Sequence, residues 1–218
     1  MHPVQSTLHH KIIPPRRSIA AKAPALILLH GRGANEDDLL GLADYLDERL
    51  FLVAARAPFD FHWGGGYTWY DILDVGRPEP KMLAESYQKL SQFYQDVKAS
   101  YPVDPSKTFL LGFSMGTMMS YSMALTKPEA VAGVVANSGY IPEEADLNFQ
   151  WDRLHNKPFF LAHGIQDPII PVHMCRRAKT LLENANAMVE CHEYTMGHEI
   201  SEESLGDMSK WLTDKLDA

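Results

Sequence analysis

Only two cysteines, Cys175 and Cys191, occur among 218 residues. A disulfide framework is thereby excluded as the organising device, and a reducing, cytoplasmic setting is expected. Positive charge is also short: 20 Lys and Arg stand against 28 Asp and Glu, a formal net charge of -8. Such a surface repels a phosphate backbone or an anionic bilayer, so neither nucleic acid nor a membrane is expected as a partner. No apolar run approaches the roughly 20 residues that span a bilayer. Residues 1–10 carry His, Gln, Ser and Thr where a secretory signal needs an apolar stretch. Internal repeats, low-complexity tracts and a Pro/Gly/Ser linker are missing, so residues 7–217 are expected to form one domain. Metal motifs are missing too. His198-Glu199-Ile200-Ser201-Glu202 begins like H-E-x-x-H but has Glu202 where the second His belongs, and there is no C-x-x-C pair or Walker loop. Neither a metal nor a cofactor is implied.

What is present is an alternation of short apolar runs with longer helical patterns. Residues 25–30, 51–55, 108–113, 131–136, 158–163 and 188–194 read as strands, most of them near-continuously apolar, as strands buried on both faces must be. Residues 7–13 add a candidate edge strand. Helical patterns fall at 35–46, 82–101, 115–125, 172–184 and 201–216. In the second of these, Leu83, Tyr87, Leu90, Tyr94, Val97 and Tyr101 share one face. The alternation predicts an α/β architecture, a mostly parallel sheet flanked by helices on both faces, with chemistry in the loops at the carboxyl ends of the strands.

One such loop holds Gly112-Phe113-Ser114-Met115-Gly116, a G-x-S-x-G sequence between a predicted strand and a predicted helix. A turn this sharp presents its serine at the sheet edge, and the flanking glycines remove Cβ atoms that would collide there. Ser114 is thus a candidate nucleophile. A serine hydroxyl needs a base, and the base needs an orienting carboxylate, in the chain order Ser, Asp or Glu, His. Asp167 and His198 meet the order, and each comes just after a predicted strand. His163, His173 and His30 compete less well as bases, and neither Asp146 nor Asp152 comes after a strand. A developing oxyanion needs two donors. The Met115 N–H at the helix start and the Arg32 N–H in His30-Gly31-Arg32-Gly33 stand in the right places, both as backbone groups.

These residues, with Ala34-Asn35-Glu36-Asp37-Asp38-Leu39, Trp69-Tyr70-Asp71, Asp167-Pro168-Ile169-Ile170-Pro171 and Gly197-His198, resemble the phospholipase/carboxylesterase family, which includes acyl-protein thioesterases and small bacterial carboxylesterases. The resemblance runs from about Leu26 to Leu212 with the motifs in family order. It implies an α/β-hydrolase fold, Ser114, Asp167 and His198 as the catalytic set, and Arg32 and Met115 as oxyanion donors. Met115 and Gly116-Thr117 stand where many members have Gln and Gly-Gly. That departure points to the carboxylesterase branch.

The expected activity is therefore hydrolysis of small to medium acyl esters through an acyl-enzyme, on a small-molecule substrate. Two alternatives stand beside it: an acyl-protein thioesterase or lysophospholipase with the same residues, and an inert hydrolase fold that serves as a binding protein. The segment 59–70, with Trp63, Trp69 and Tyr70 around three consecutive glycines, is an expected wall of the substrate pocket, although such aromatics also serve as satellite core. The length leaves no room for a large cap domain, and so an open site is expected. Monomer versus homodimer stays open.

Overall fold

The computed structural model describes residues 3–17, 22–74 and 77–218. In chain order the strands are β1 (His10–Ile13), β2 (Ala23–Leu29), β3 (Phe51–Ala55), β4 (Phe59–Asp60), β5 (Tyr67–Thr68), β6 (Ile72–Asp74), β7 (Arg77–Pro78), β8 (Val103–Phe113), β9 (Val134–Asn137), β10 (Pro158–Gly164) and β11 (Met188–Tyr194). The helices are α1 (Pro80–Ser100), α2 (Met115–Thr126), α3 (Val172–Asn184) and α4 (Glu202–Asp217). Seven strands form the central sheet in the order β1-β3-β2-β8-β9-β10-β11. Every neighbouring pair is parallel except β1 with β3.

Period-two alternation divides the sheet's side chains between two cores. From β2, Ala25, Ile27 and Leu29 face one cluster, shared with Leu90 of α1, Met119 of α2 and Leu182 of α3. Leu26 and Leu28 face the other, shared with Met208, Trp211 and Leu212 of α4. Burial on both faces is why β2 reads as an unbroken apolar run.

Local chemistry sets the helix boundaries. Glu79 caps α1 by accepting from the Met82 N–H at 2.7 Å, with Pro80 in the first turn. Ser201 caps α4, accepting from the Ser204 N–H at 3.2 Å, and Glu202 and Glu203 occupy its first turn. Helix α2 is buried all round. Its serine hydroxyls are satisfied within the helix, Ser120 donating to Gly116 O and Ser122 to Met118 O, both at 2.9 Å.

Several boundaries differ from the sequence reading. Strand β1 starts at His10 rather than 7, β2 runs over Ala23–Leu29 rather than 25–30, and α1 starts at Pro80 rather than 82. Residues 35–46 are not an α-helix: a turn leads into a 3-10 helix over Leu39–Tyr45. Asn35 Oδ1 accepts from the Asp37 N–H at 2.8 Å, an Asx turn that competes with helix nucleation, and Gly41 lowers the helix propensity of the next turn. Strand β8 begins at Val103 rather than 108, because Val103 pairs with Ala23 ahead of a register shift. Strand β9 starts at Val134, three residues later than 131. Among the described residues no helix is long and apolar enough to cross a membrane. Both cysteines are free thiols, their sulfurs 3.9 Å apart between α3 and β11.

Candidate active site

Ser114 sits between the end of β8 and the start of α2 with φ 53° and ψ -119°. A positive φ with this ψ costs a non-glycine residue about 1–3 kcal/mol, so its surroundings must impose it. They do so sterically. A Cβ at Gly116 would lie 1.8 Å from Leu29 O, and one at Gly112 would lie 2.4 Å from Thr117 N. Only glycine lets β2, β8 and α2 approach this closely. Asn137 at the end of β9 grips the turn from the other side: its carbonyl accepts from the Ser114 N–H at 3.0 Å and from the Thr117 hydroxyl at 2.7 Å.

Asp167 lies in the loop after β10 and His198 in the loop after β11. His198 Nδ1–H donates to Asp167 Oδ2 at 2.7 Å, and the other carboxylate oxygen accepts from the N–H groups of Ile169 and Ile170, both at 2.8 Å. Burial works to raise the carboxyl's pKa. The Ile170 and Ile169 N–H groups and His198 together outweigh it and hold it below the ordinary value. Asp167 is therefore an anion at neutral pH, and it fixes the imidazole with Nδ1 protonated and Nε2 free to act as a base. Phe113 packs on the same imidazole, ring centroids 5.0 Å apart. The two loops approach closely because residue 164 is glycine: a Cβ there would lie 2.2 Å from Gly197 O.

His163, a weak competitor as a base on sequence grounds, has a different place in the structure, buried behind Asp167. Its Nε2–H donates to Ile170 O at 2.7 Å and lies 3.4 Å from Asp167 Oδ2. Burial lowers its pKa, so the ring is neutral, and it ties down the loop that presents Asp167. His30 is similarly structural. Its Nδ1–H donates to Gly31 O at 2.6 Å and its Nε2 accepts from the Ala57 N–H at 3.0 Å, with burial lowering its pKa.

The loop after β2 carries Arg32. Gly33 N–H donates to Tyr67 O at 2.8 Å and Ala34 N–H to Gly31 O at 3.3 Å. Glu36, buried in the same loop, makes a two-point ion pair with Arg56 at 2.6 Å per bond. The Arg56 guanidinium pulls the Glu36 carboxyl down to about 2. Met115, first in α2, offers an N–H that helix geometry leaves without an intrahelical acceptor.

Ser114, His198, Arg32 and Met115 all line one cleft of about 550 Å³, whose other walls include Ile72, Phe113, Tyr140 and Ile170. Asp167 stands behind His198. It is not in the cleft wall, but its carboxylate meets the imidazole that is.

The expected aromatic wall is placed differently. Trp69 and Tyr70 are 0% and 1% exposed and belong to the core, where Trp69 Nε1–H donates to His30 O at 3.0 Å and the Tyr70 hydroxyl to Met118 Sδ at 2.8 Å. They back the cleft without facing it. Trp63 is 88% exposed and borders a separate depression with Phe59 and His62. Both rings lie in the bend that follows β5 and are buried side by side, which an aromatic count does not reveal. Ile72 of β6, Ile170 of the loop after β10 and Met174 of α3 add walls that the sequence reading did not assign to the pocket, because an apolar residue type does not say which cavity it faces. Among the described residues no three His, Cys, Asp or Glu side chains converge as a metal site.

Known proteins similar to this chain fall in one family. The chain is 26% identical to acyl-protein thioesterase 1 of Debaryomyces hansenii, covering 94% of this chain and 98% of the relative. It is also 26% identical to a probable carboxylesterase, SOBER1-like, of Arabidopsis thaliana, over 88% of this chain and 78% of that one. Among solved structures, the Bacillus cereus carboxylesterase superposes with a TM-score of 0.84 at 26% identity, covering 95% and 94% of the two chains. A phospholipase/carboxylesterase family model matches residues 9–216. The chain has the α/β-hydrolase fold and belongs to the phospholipase/carboxylesterase family of hydrolases.

Proposed function

We propose that the protein is a serine carboxylesterase acting on small to medium acyl esters. The observation that carries this reading is the strained Ser114 sharing a cleft with an imidazole already oriented by a buried carboxylate. Ser114 Oγ attacks the ester carbonyl while His198 Nε2 takes its proton. The tetrahedral oxyanion accepts from the Arg32 and Met115 N–H groups. Collapse breaks the acyl–oxygen bond, and His198 returns the proton to the departing alcohol. Water, deprotonated by His198, then attacks the acyl-enzyme, releasing the acid and regenerating the Ser114 hydroxyl. Asp167 stays ionised throughout and stabilises the imidazolium. The cleft's volume lies within the usual range of small-ligand sites, and its walls are chiefly apolar. Residues 7–217 act as one domain in this reading, and two unbridged thiols fit a cytoplasmic setting.

The test is labelling by a fluorophosphonate together with Ser114→Ala. The expected result is an adduct on Ser114 alone and a loss of at least about 10³-fold in kcat for a p-nitrophenyl ester. An adduct elsewhere, or full hydrolysis by the alanine variant, overturns the reading. The thioesterase relative supports a second reading with the same machinery. A strong preference for long-chain acyl thioesters over short oxyesters would establish it instead.

A further inference from the structure

The Arg32 side chain has no part in ester hydrolysis as proposed, which uses only its backbone N–H. Yet the residue is exposed, and it is one of those lining the cleft beside Ser114 and His198. Elsewhere in the molecule arginines hold carboxylates: Arg49 with Asp47 and Asp217, Arg56 with Glu36, Arg176 with Glu193, Arg177 with Glu143. Among the described residues Arg32 has no carboxylate within ion-pair distance. Its guanidinium instead lies over the Phe61 ring, 4.5 Å from the centroid. The ring is itself seated by glycines, since a Cβ at Gly33 or at Gly64 would lie 3.3 Å from a Phe61 ring carbon. This contact steadies the guanidinium without engaging its N–H donors with a carboxylate. A planar cation steadied by an aromatic ring and without a carboxylate partner is suited to two-point pairing with a carboxylate.

Resting on the ester-hydrolase reading, we propose that this cleft selects esters bearing a free carboxylate, and that the Arg32 side chain is the residue that recognises it. The remaining walls are apolar apart from Tyr140 and from Asp38, whose carboxylate opposes an anion there. The chain's net charge of -8 disfavours anionic ligands in general, so the preference has to arise locally, from Arg32. Hydrolysis itself is unaltered: water is consumed, and an acid and an alcohol leave.

Matched ester pairs test this. On the acyl side, 4-nitrophenyl hydrogen adipate is compared with 4-nitrophenyl hexanoate. On the alcohol side, 4-carboxyphenyl acetate is compared with 4-carbamoylphenyl acetate. The readout is the anionic-to-neutral ratio of kcat/KM within each protein, which cancels changes common to both substrates. The wild type is expected to favour the anionic member of one pair by on the order of 10-fold, and the pair that responds tells which side of the ester carries the carboxylate. Arg32→Gln, which keeps the backbone donor, should bring that ratio near unity, mainly through KM. Asp38→Asn should raise it, and Phe61→Leu should lower it. A wild-type ratio below about 2 in both pairs, or a ratio unchanged in Arg32→Gln, overturns the proposal. If Arg32→Gln does not fold, the wild-type ratio against NaCl decides: it must fall as salt screens the pair, and a flat profile refutes the assignment. Ser114→Ala keeps the two readings apart. Its inactivity on all four esters alongside a wild-type ratio of unity defeats only the carboxylate proposal, whereas its full activity defeats the hydrolase mechanism itself.

Discussion

The turn that carries Ser114 and the pair of loops that carry Asp167 and His198 serve the same cleft, but they are held by different forces. The serine turn is fixed by exclusion. Its backbone is forced into a strained conformation because β2, β8 and α2 crowd so closely that no Cβ fits at residues 112 or 116. The Asp167 and His198 loops, which Gly164 lets meet, are then held by attraction: two N–H groups and an imidazole converge on one carboxylate, with His163 behind it. Steric fixing tolerates changes of charge and no change of volume. Polar fixing tolerates neither the loss of a charge nor the loss of a donor, but it survives small shifts of the chain.

The largest effect should come from breaking the steric half. Gly116→Ala places a methyl group against Leu29 O, and a loss of at least about 3 kcal/mol is expected, read as a collapse of the denaturation midpoint or as failure to yield folded protein. The polar half should fail catalytically while staying folded. Asp167→Asn keeps the volume but removes the charge that selects the imidazole tautomer, so kcat should fall by about 10³ to 10⁴-fold. Circular dichroism should show a fold little changed, and a variant that keeps more than a tenth of wild-type activity would remove Asp167 from its role. The Glu36–Arg56 pair behind the Arg32 loop belongs to the polar class as well. Glu36→Gln should cost about 3 kcal/mol at neutral pH by stranding the Arg56 charge. Because Arg56 depresses the Glu36 carboxyl from 4.5 to about 2, the pair's contribution is complete above the unfolded value. It declines as the pH falls through the folded one. The gap in Tm between wild type and Glu36→Gln should therefore narrow on acidification from about pH 6 towards the folded-state value, and a constant gap would dissociate the stabilisation from ionisation. Smallest of all should be Trp63→Ala, at a largely exposed ring outside the cleft. Stability should stay within about 0.5 kcal/mol of wild type and short-ester kcat/KM within about 2-fold.

The same division governs how much of the molecule is legible in its sequence. Steric fixing leaves a mark in residue type, because only glycine fits, and Gly112, Gly116 and Gly164 stand beside the residues they serve. The strands are legible because burial on two faces demands uninterrupted apolar runs, and β3 and β11 fall at their expected bounds. Polar fixing by the main chain leaves no such mark. Nothing in the identity of Ile169 or Ile170 says that their N–H groups meet a carboxylate, and nothing marks His163 as the support of the loop rather than as a base. The segment 35–46 misleads because its apolar spacing is helical while the Asx turn at Asn35 and the buried Glu36 draw the chain elsewhere. Trp69 and Tyr70 show that composition identifies a neighbourhood without giving the direction a side chain faces.

The short ribbon of β4 and β5 has a consequence for redesign. Tyr67 is bridged to Ala34, its carbonyl accepting from the Gly33 N–H and its N–H donating to Ala34 O, both at 2.8 Å, so the Arg32 loop is in effect the ribbon's third strand. Lengthening β5 by one residue would shift the pairing that holds the Arg32 loop against Tyr67. Insertions meant to reshape the cleft mouth therefore belong at the hairpin tip, at residues 62–64, where the chain can grow without re-aiming the Arg32 amide.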